Sequence, residues 1–134
     1  TPCKFLGTAP YFSVRDVVKA AAFYRDKLGF KYDQLWGEPP CFCMPVRDGF
    51  IFMLSQACDE AQIKPNAMLR DEADCWDAYV WVTDAQALFQ EYKAKGVQIV
   101  YEPVIRDYYG MKEFAVKDLD GYILAFGQSW PPKT

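Results

Sequence analysis

Two stretches of this chain, beginning at Ala9 and at Asp77, carry the same signals in the same order, and a 134-residue polypeptide that repeats itself once has few ways to fold. The first reads Tyr11-Phe-Ser-Val14-Arg-Asp16, then an amphipathic stretch ending Lys27-Leu-Gly29-Phe30, and later Arg47-Asp48-Gly49-Phe50-Ile51. The second reads Tyr79-Val-Trp-Val82-Thr-Asp84, an amphipathic stretch ending Lys95-Gly96-Val97, and later Asp118-Leu-Asp120-Gly121-Tyr122-Ile123. With 51% apolar residues the chain can bury one good core, and it is too short for two ordinary domains. The copies therefore read as two modules of a single domain, module 1 over about 5–56, a connector over about 57–76 and module 2 over about 77–127. Paired modules usually face each other across a shared cleft, which is where function is to be sought.

Local signals give each module the order βαβββ, an α+β fold. Residues 7–14 are rich in β-branched and aromatic side chains and predict a strand, with Asp16 as the N-cap of a helix that runs to Leu28 and ends at Gly29. Val17, Ala21, Tyr24 and Leu28 recur at helical spacing, so one face packs on a sheet. Strands follow over 30–36, 41–45 and 50–55, punctuated by Gly37-Glu-Pro-Pro40 and by the Arg47-Asp48-Gly49 hairpin signal. Module 2 repeats the order: a strand over 77–82, cap Asp84, a helix over 85–95 with the stripe Ala85, Leu88 and Tyr92, then strands near 97–101, 112–116 and 122–126. The connector from Gln56 to Trp76, with Pro65 and the acidic run 71–77, is long for a compact domain, and such lengths often serve function or dimerisation. The tail from Trp130 has no periodicity and reads as loose.

Acidic residues outnumber basic ones, 18 to 15, so no electrostatic case for nucleic acid exists, and an aromatic or cationic small molecule is the easier partner. No stretch approaches the roughly 20 apolar residues that span a bilayer, and no basic start precedes an apolar run, so the expectation is a cytoplasmic protein without a membrane partner. Five cysteines at 3, 41, 43, 58 and 75 form an odd set without a CxxC pair, which argues for reduced, packed thiols rather than disulfides or zinc. The absence of histidine removes the commonest general base and transition-metal ligand together. Phosphate-binding glycine loops, nucleophile elbows and HExxH motifs are also lacking.

The two βαβββ modules, the Phe23-Tyr24 pair before Leu28-Gly29-Phe30, and Asp118-Leu-Asp120-Gly121-Tyr122 before the last strand resemble the vicinal oxygen chelate superfamily. That superfamily includes glyoxalase I, extradiol dioxygenases, fosfomycin resistance enzymes and bleomycin resistance proteins. The likeness runs from about Phe5 to Phe126 and is greatest to the bleomycin resistance proteins, through Pro10, Arg15-Asp16-Val17, Val80-Trp81-Val82 and Tyr109-Gly110-Met-Lys-Glu113-Phe114-Ala115. It implies two modules forming a shared curved-sheet cleft and a homodimer that sequesters a ligand in aromatic grooves between subunits. It also implies exchange of an N-terminal strand hinged near Pro10, unless Pro10 simply opens an edge strand.

The enzymes of the superfamily hold a metal with four side chains from the first and last strands of each module. The resemblance puts those positions on Ala9, Met53 (or Phe52 after a one-residue slip), Asp77 and Ala125, three of which cannot ligate a hard or borderline ion. It therefore implies a chain without metal or other cofactor, lacking the Lewis acid of glyoxalase and dioxygenase chemistry.

If the same positions face the cleft, alternation brings Ala9, Tyr11 and Ser13, Asp77, Tyr79 and Trp81, Ile51, Met53 and Ser55, and Ile123 and Ala125 to its wall. An apolar, aromatic wall suits planar ligands held by stacking, and it is also what an ordinary core looks like. Asp77 either pairs with a ligand amine or accepts a proton when desolvated, or it is a solvated residue at a strand start. Glu113 supplies a second carboxylate from an edge strand, or pairs at the surface with Lys112 or Lys117. Trp36, Tyr108 and Tyr109 fall in loops and read as lid or dimer-groove residues, with Gly110 giving hinge freedom. The candidate ligand-binding set is thus Tyr11, Trp36, Met53, Asp77, Tyr79, Trp81, Tyr109 and Glu113, with Asp77 and Glu113 as the only catalytic candidates. The expected function is metal-free capture of an aromatic or cationic small molecule by a homodimer. The alternatives are a glyoxalase-like lyase or isomerase using a retained metal or one of those carboxylates as base, and a dimeric scaffold.

Overall fold

A computed structural model describes residues 2–70 and 75–132. Module 1 comprises β1 (Tyr11–Val14), α1 (Val17–Asp26), β2 (Leu35–Trp36), β3 (Phe42–Cys43), β4 (Val46–Arg47), β5 (Phe50–Ile51) and β6 (Met53–Gln56). A connector with a 3₁₀ turn (Glu60–Gln62) and the short α2 (Ala67–Arg70) leads to β7 (Ala78–Trp81), α3 (Ala85–Ala94), β8 (Gln98–Arg106), β9 (Met111–Lys117) and β10 (Ile123–Ser129). The sheets run β1-β6-β3-β2 and β7-β10-β9-β8, and β4-β5 forms a separate ribbon. In both large sheets the first strand pairs in parallel with the last, Tyr11 opposite Met53 and Tyr79 opposite Ala125, which is the repeat made visible.

The caps act as the sequence predicts. The Asp16 carboxylate accepts from the N–H groups of Val18 and Lys19, and that of Asp84 from Ala87, so orphan amides at both helix starts are satisfied. Gly29 and Gly96 follow the helix ends at φ +80° and +78°, a region closed to most side chains. Asp48 and Gly49 at φ +51° and +83° form the two-residue loop of the β4-β5 hairpin, the primed geometry that an Asp-Gly pair favours.

Three strand expectations change. The predicted strand over 30–36 is reduced to a bridge from Lys31 to Val46 and to β2, because the polar Asp33-Gln34 segment bends away. The predicted strand over 50–55 breaks at Phe52, whose N–H bonds to Pro45 before Met53 turns to Pro10, so the chain passes from the ribbon into the main sheet there. β8 continues five residues beyond the predicted end at Tyr101, with register shifts between Ile99 and Tyr101 and between Tyr101 and Val104. Pro103 lies inside the second shift, on an edge strand, where a missing N–H is tolerated.

One apolar core joins the modules. It takes Phe12 and Val14 of β1, Leu54 of β6, Val17, Ala21 and Tyr24 of α1, Phe89 and Tyr92 of α3, and Phe114, Leu124 and Phe126 of the second sheet. In α3 it is Phe89 rather than Leu88 that is fully buried. Reciprocal hydrogen bonds tie the modules together. Tyr24 in α1 donates to Asp118 (2.7 Å), Tyr92 in α3 donates to the carbonyl of Leu28 (2.9 Å), and Arg47 bonds that carbonyl and Glu91. Arg15 adds a further tie by pairing with Asp120 and with Glu60 of the connector. The connector is packed rather than loose where Ile63 and Pro65 are buried; the part of the acidic run at 71–74 lies outside the described residues. The thiols also differ from expectation: Cys43 is buried, and burial pushes its thiol up to about 11, whereas Cys3, Cys41 and Cys58 are exposed. Trp130 is held as well, its N–H on Gly110 and its ring under Lys112.

Two outcomes follow from the Tyr24–Asp118 contact. Tyr24→Phe leaves a buried carboxylate oxygen without its partner and lowers stability to denaturant by about 1–3 kcal/mol. Burial pushes the Asp118 carboxyl up to about 7, against the Tyr24 hydroxyl and the Tyr122 and Asp120 amides that hold it down. Because the folded value lies above the unfolded value of about 3.9, the native state binds the proton more tightly. This contribution is complete below about pH 4 and is lost as pH rises through about 7. Urea midpoints of the wild type measured from pH 4 to 8 carry that falling component, and Asp118→Asn removes it.

Candidate ligand-binding face

Side chains alternate across each strand, so the positions not facing the helices form a second face on each sheet. On the second sheet this face carries Tyr79 and Trp81 of β7, Ala125 and Gly127 of β10, and Met111, Glu113 and Ala115 of β9. The β8 bulge brings Tyr101 to the same face, opposite Ala115. Trp76 and Ala67 of the connector pack beside Tyr79, Val100 and Tyr101 over the small residues Ala115 and Ala125.

At the centre Glu113 is fully buried, with 0% of its surface exposed. The hydroxyls of Tyr79 (3.0 Å) and Tyr109 (2.5 Å) donate to its Oε1, and that of Tyr101 (2.5 Å) donates to Oε2. Arg106 Nε lies 3.6 Å from Oε2, without a hydrogen bond of its own. Trp76 Nε1 donates to the Tyr101 oxygen (2.9 Å), extending the network to the connector. Burial, and next the adjacent carboxylate, raise all three phenols above their ordinary range, so they stay protonated as donors. Gly127 stands opposite Glu113, and a Cβ there would collide with the Tyr79 hydroxyl; glycine lets that ring cross β10 to the carboxylate.

Above this network runs an aromatic row. The ring centroids of Trp76 and Tyr79 are 4.8 Å apart and those of Tyr79 and Trp81 are 5.3 Å apart, and Trp81 is 74% exposed. Tyr108 packs edge-on against Tyr109 at the rim, on the loop before Gly110. The first sheet carries a matching row, Tyr11, Phe42 and Trp36, with Tyr11 61% exposed and Met53 beside it in register. Phe42 stands opposite Ser55 as Glu113 stands opposite Gly127, so the position that is a carboxylate in module 2 is a phenyl ring in module 1.

The sequence-predicted residues thus fall into two groups. Tyr79, Trp81, Tyr109 and Glu113 meet on the second sheet, and Tyr11, Trp36 and Met53 lie on the first. Glu113 is neither on an edge strand nor paired with Lys112 or Lys117, because β8 extends to Arg106 and makes β9 an interior strand. Asp77 sits below the row. Its two oxygens accept from the backbone N–H groups of Asn66 and Ile123, each at 2.8 Å; burial raises its carboxyl and those amides lower it. Tyr101, Arg106 and Gly127 were not legible as site residues, since a bulge, a strand extension and a ring crossing put them there. A cavity of about 520 Å³ lies between the β4-β5 hairpin and α3, lined by Trp81 of the row among others, and Arg47 and Glu91 pair with each other on its wall.

The four positions that the resemblance aligns with the enzymes' metal ligands do not fit an ion. Ala9, Met53 and Ala125 offer no hard donor, and Asp77 is engaged by backbone amides. Among the described residues no three His, Cys, Asp or Glu side chains come together as a ligand set.

No protein-family model matches the chain, and no curated protein matches it. Solved structures do. TioX from Micromonospora sp. ML1 superposes with a TM-score of 0.72 at 18% identity, over 92% of this chain and 98% of that one. UcmS2 gives 0.70 at 22%, over 93% and 98%. TnmS3, an antibiotic binding protein from Streptomyces sp. CB03234, gives 0.72 at 14%, over 96% and 99%. Identities this low speak to fold alone, and with the paired βαβββ modules they give one answer. The chain has the glyoxalase/bleomycin resistance fold, the fold of the vicinal oxygen chelate superfamily.

Proposed function

We propose that this protein binds and sequesters an aromatic or cationic small molecule without metal chemistry, in grooves that a second copy of the chain completes. The observation that carries the reading is the open row Trp76–Tyr79–Trp81 standing over a buried, fully hydrogen-bonded carboxylate. Large aromatic faces left in water on a rigid sheet are unusual unless something covers them. In one chain the two aromatic rows belong to separate sheets, and a two-fold partner lets the row of one copy close over that of the other. TnmS3, an antibiotic binding protein with this fold, supports the reading. An acid–base enzyme has less to stand on, because both oxygens of Asp77 and of Glu113 already accept hydrogen bonds from the protein.

Titration with planar aromatic cations, followed by tryptophan fluorescence at concentrations where light scattering reports a dimer, is the direct test. Trp81→Ala is expected to weaken binding about tenfold or more while the melting temperature holds, since Trp81 is exposed. Saturable binding by neither neutral nor cationic aromatics would sink the reading. After soaking with nickel, zinc, manganese and ferrous iron and desalting, elemental analysis is expected to find far less than one ion per chain; one tightly held ion per chain would return the lead to the enzyme.

A further inference from the structure

We infer that Glu113 sets the hydrogen-bond polarity of this face, so that the ligand is a planar aromatic bearing a hydrogen-bond donor, such as a phenolic hydroxyl or a ring N–H. The inference rests on the binding reading above and goes further, to the chemistry that the ligand must present.

A phenol has one hydrogen to donate, and an ionised carboxylate only accepts. Tyr79, Tyr101 and Tyr109 all spend their hydrogens on Glu113, so what each has left is the acceptor side of its oxygen. The Tyr101 oxygen is taken by Trp76 Nε1. Those of Tyr79 and Tyr109 bond the same carboxylate oxygen, Oε1, and therefore sit side by side, with Tyr109 at the exposed rim and Tyr79 within the stacking row. Lys112 does not intrude, since its ammonium lies over Trp130. Arg106, the cation beside Glu113, has its guanidinium over the Tyr101 ring and its Nε toward Oε2. A ring stacked on Tyr79 and Trp81 thus meets two aligned acceptors. A ligand edge offering only acceptors finds no phenol hydrogen left to take up there.

The test uses two probes of one shape, 2-naphthol, which donates, and 2-methoxynaphthalene, which only accepts. Calorimetry on the full chain is expected to give tighter binding of 2-naphthol, by about tenfold. In Glu113→Gln the carboxamide both donates and accepts, so at least one phenol must accept from it and turn its own hydrogen outward. With the amide nitrogen on the Oε1 side the hydrogens of Tyr79 and Tyr109 turn outward and the preference falls to parity or reverses; with it on the Oε2 side only Tyr101 turns and the preference holds, so Tyr109→Phe is the deciding variant. Tyr109→Phe, at the rim, removes one of the two acceptors and should move the preference toward parity, and it keeps the test decisive if Glu113→Gln melts early. Equal binding of the two probes by the wild type, or a preference unmoved in both variants, overturns the inference and leaves the binding function standing. Binding of neither probe overturns both.

Discussion

The structure depends on two tyrosines that reach out of their own modules. Tyr24 and Tyr92 occupy matching places on the two long helices, are both buried, and spend their hydroxyls on the opposite module, one on Asp118 and the other on the Leu28 carbonyl. A buried phenol without a partner costs on the order of 1–3 kcal/mol, so each bond makes correct docking the condition for burying its ring. With these bonds made, both helices and the inner faces of both sheets share one core. The outer faces are thereby turned to the outside, and it is this orientation that leaves Tyr11 and Trp81 in water.

The outer faces have diverged where the folding signals have not. Helix caps, terminal glycines and parallel first-to-last pairing recur in both modules, because every βαβββ unit needs them. At the matched position of the third strand, module 1 has Phe42 and module 2 has Glu113. A buried carboxylate is expensive unless its lone pairs are filled, and three phenols with a nearby guanidinium fill them. That expense has no counterpart in module 1, where Phe42 takes the matched position between Tyr11 and Trp36.

The positions that the resemblance aligns with a metal chelate are occupied differently here. Ala9, Met53 and Ala125 carry no hard donor, and Asp77 braces the connector against β10 through the amides of Asn66 and Ile123. The buried polar centre of this face lies in the middle of β9, where Glu113 orders three phenols.

By itself the sequence determined the modules, the caps, the hairpin at Asp48-Gly49 and the alternation that brings Tyr79 and Trp81 to one face, because these are local: each depends on a residue's own backbone preference or on a period of two or 3.6. Only the tertiary structure decided the fate of Glu113. Whether that carboxylate meets water, a lysine or three phenols turns on β8 running past Pro103 to cover it, on a bulge that swings Tyr101 across, and on the space left by Gly127. Those are contacts between distant segments, paid for by the packing of the whole domain, and no period in the chain encodes them.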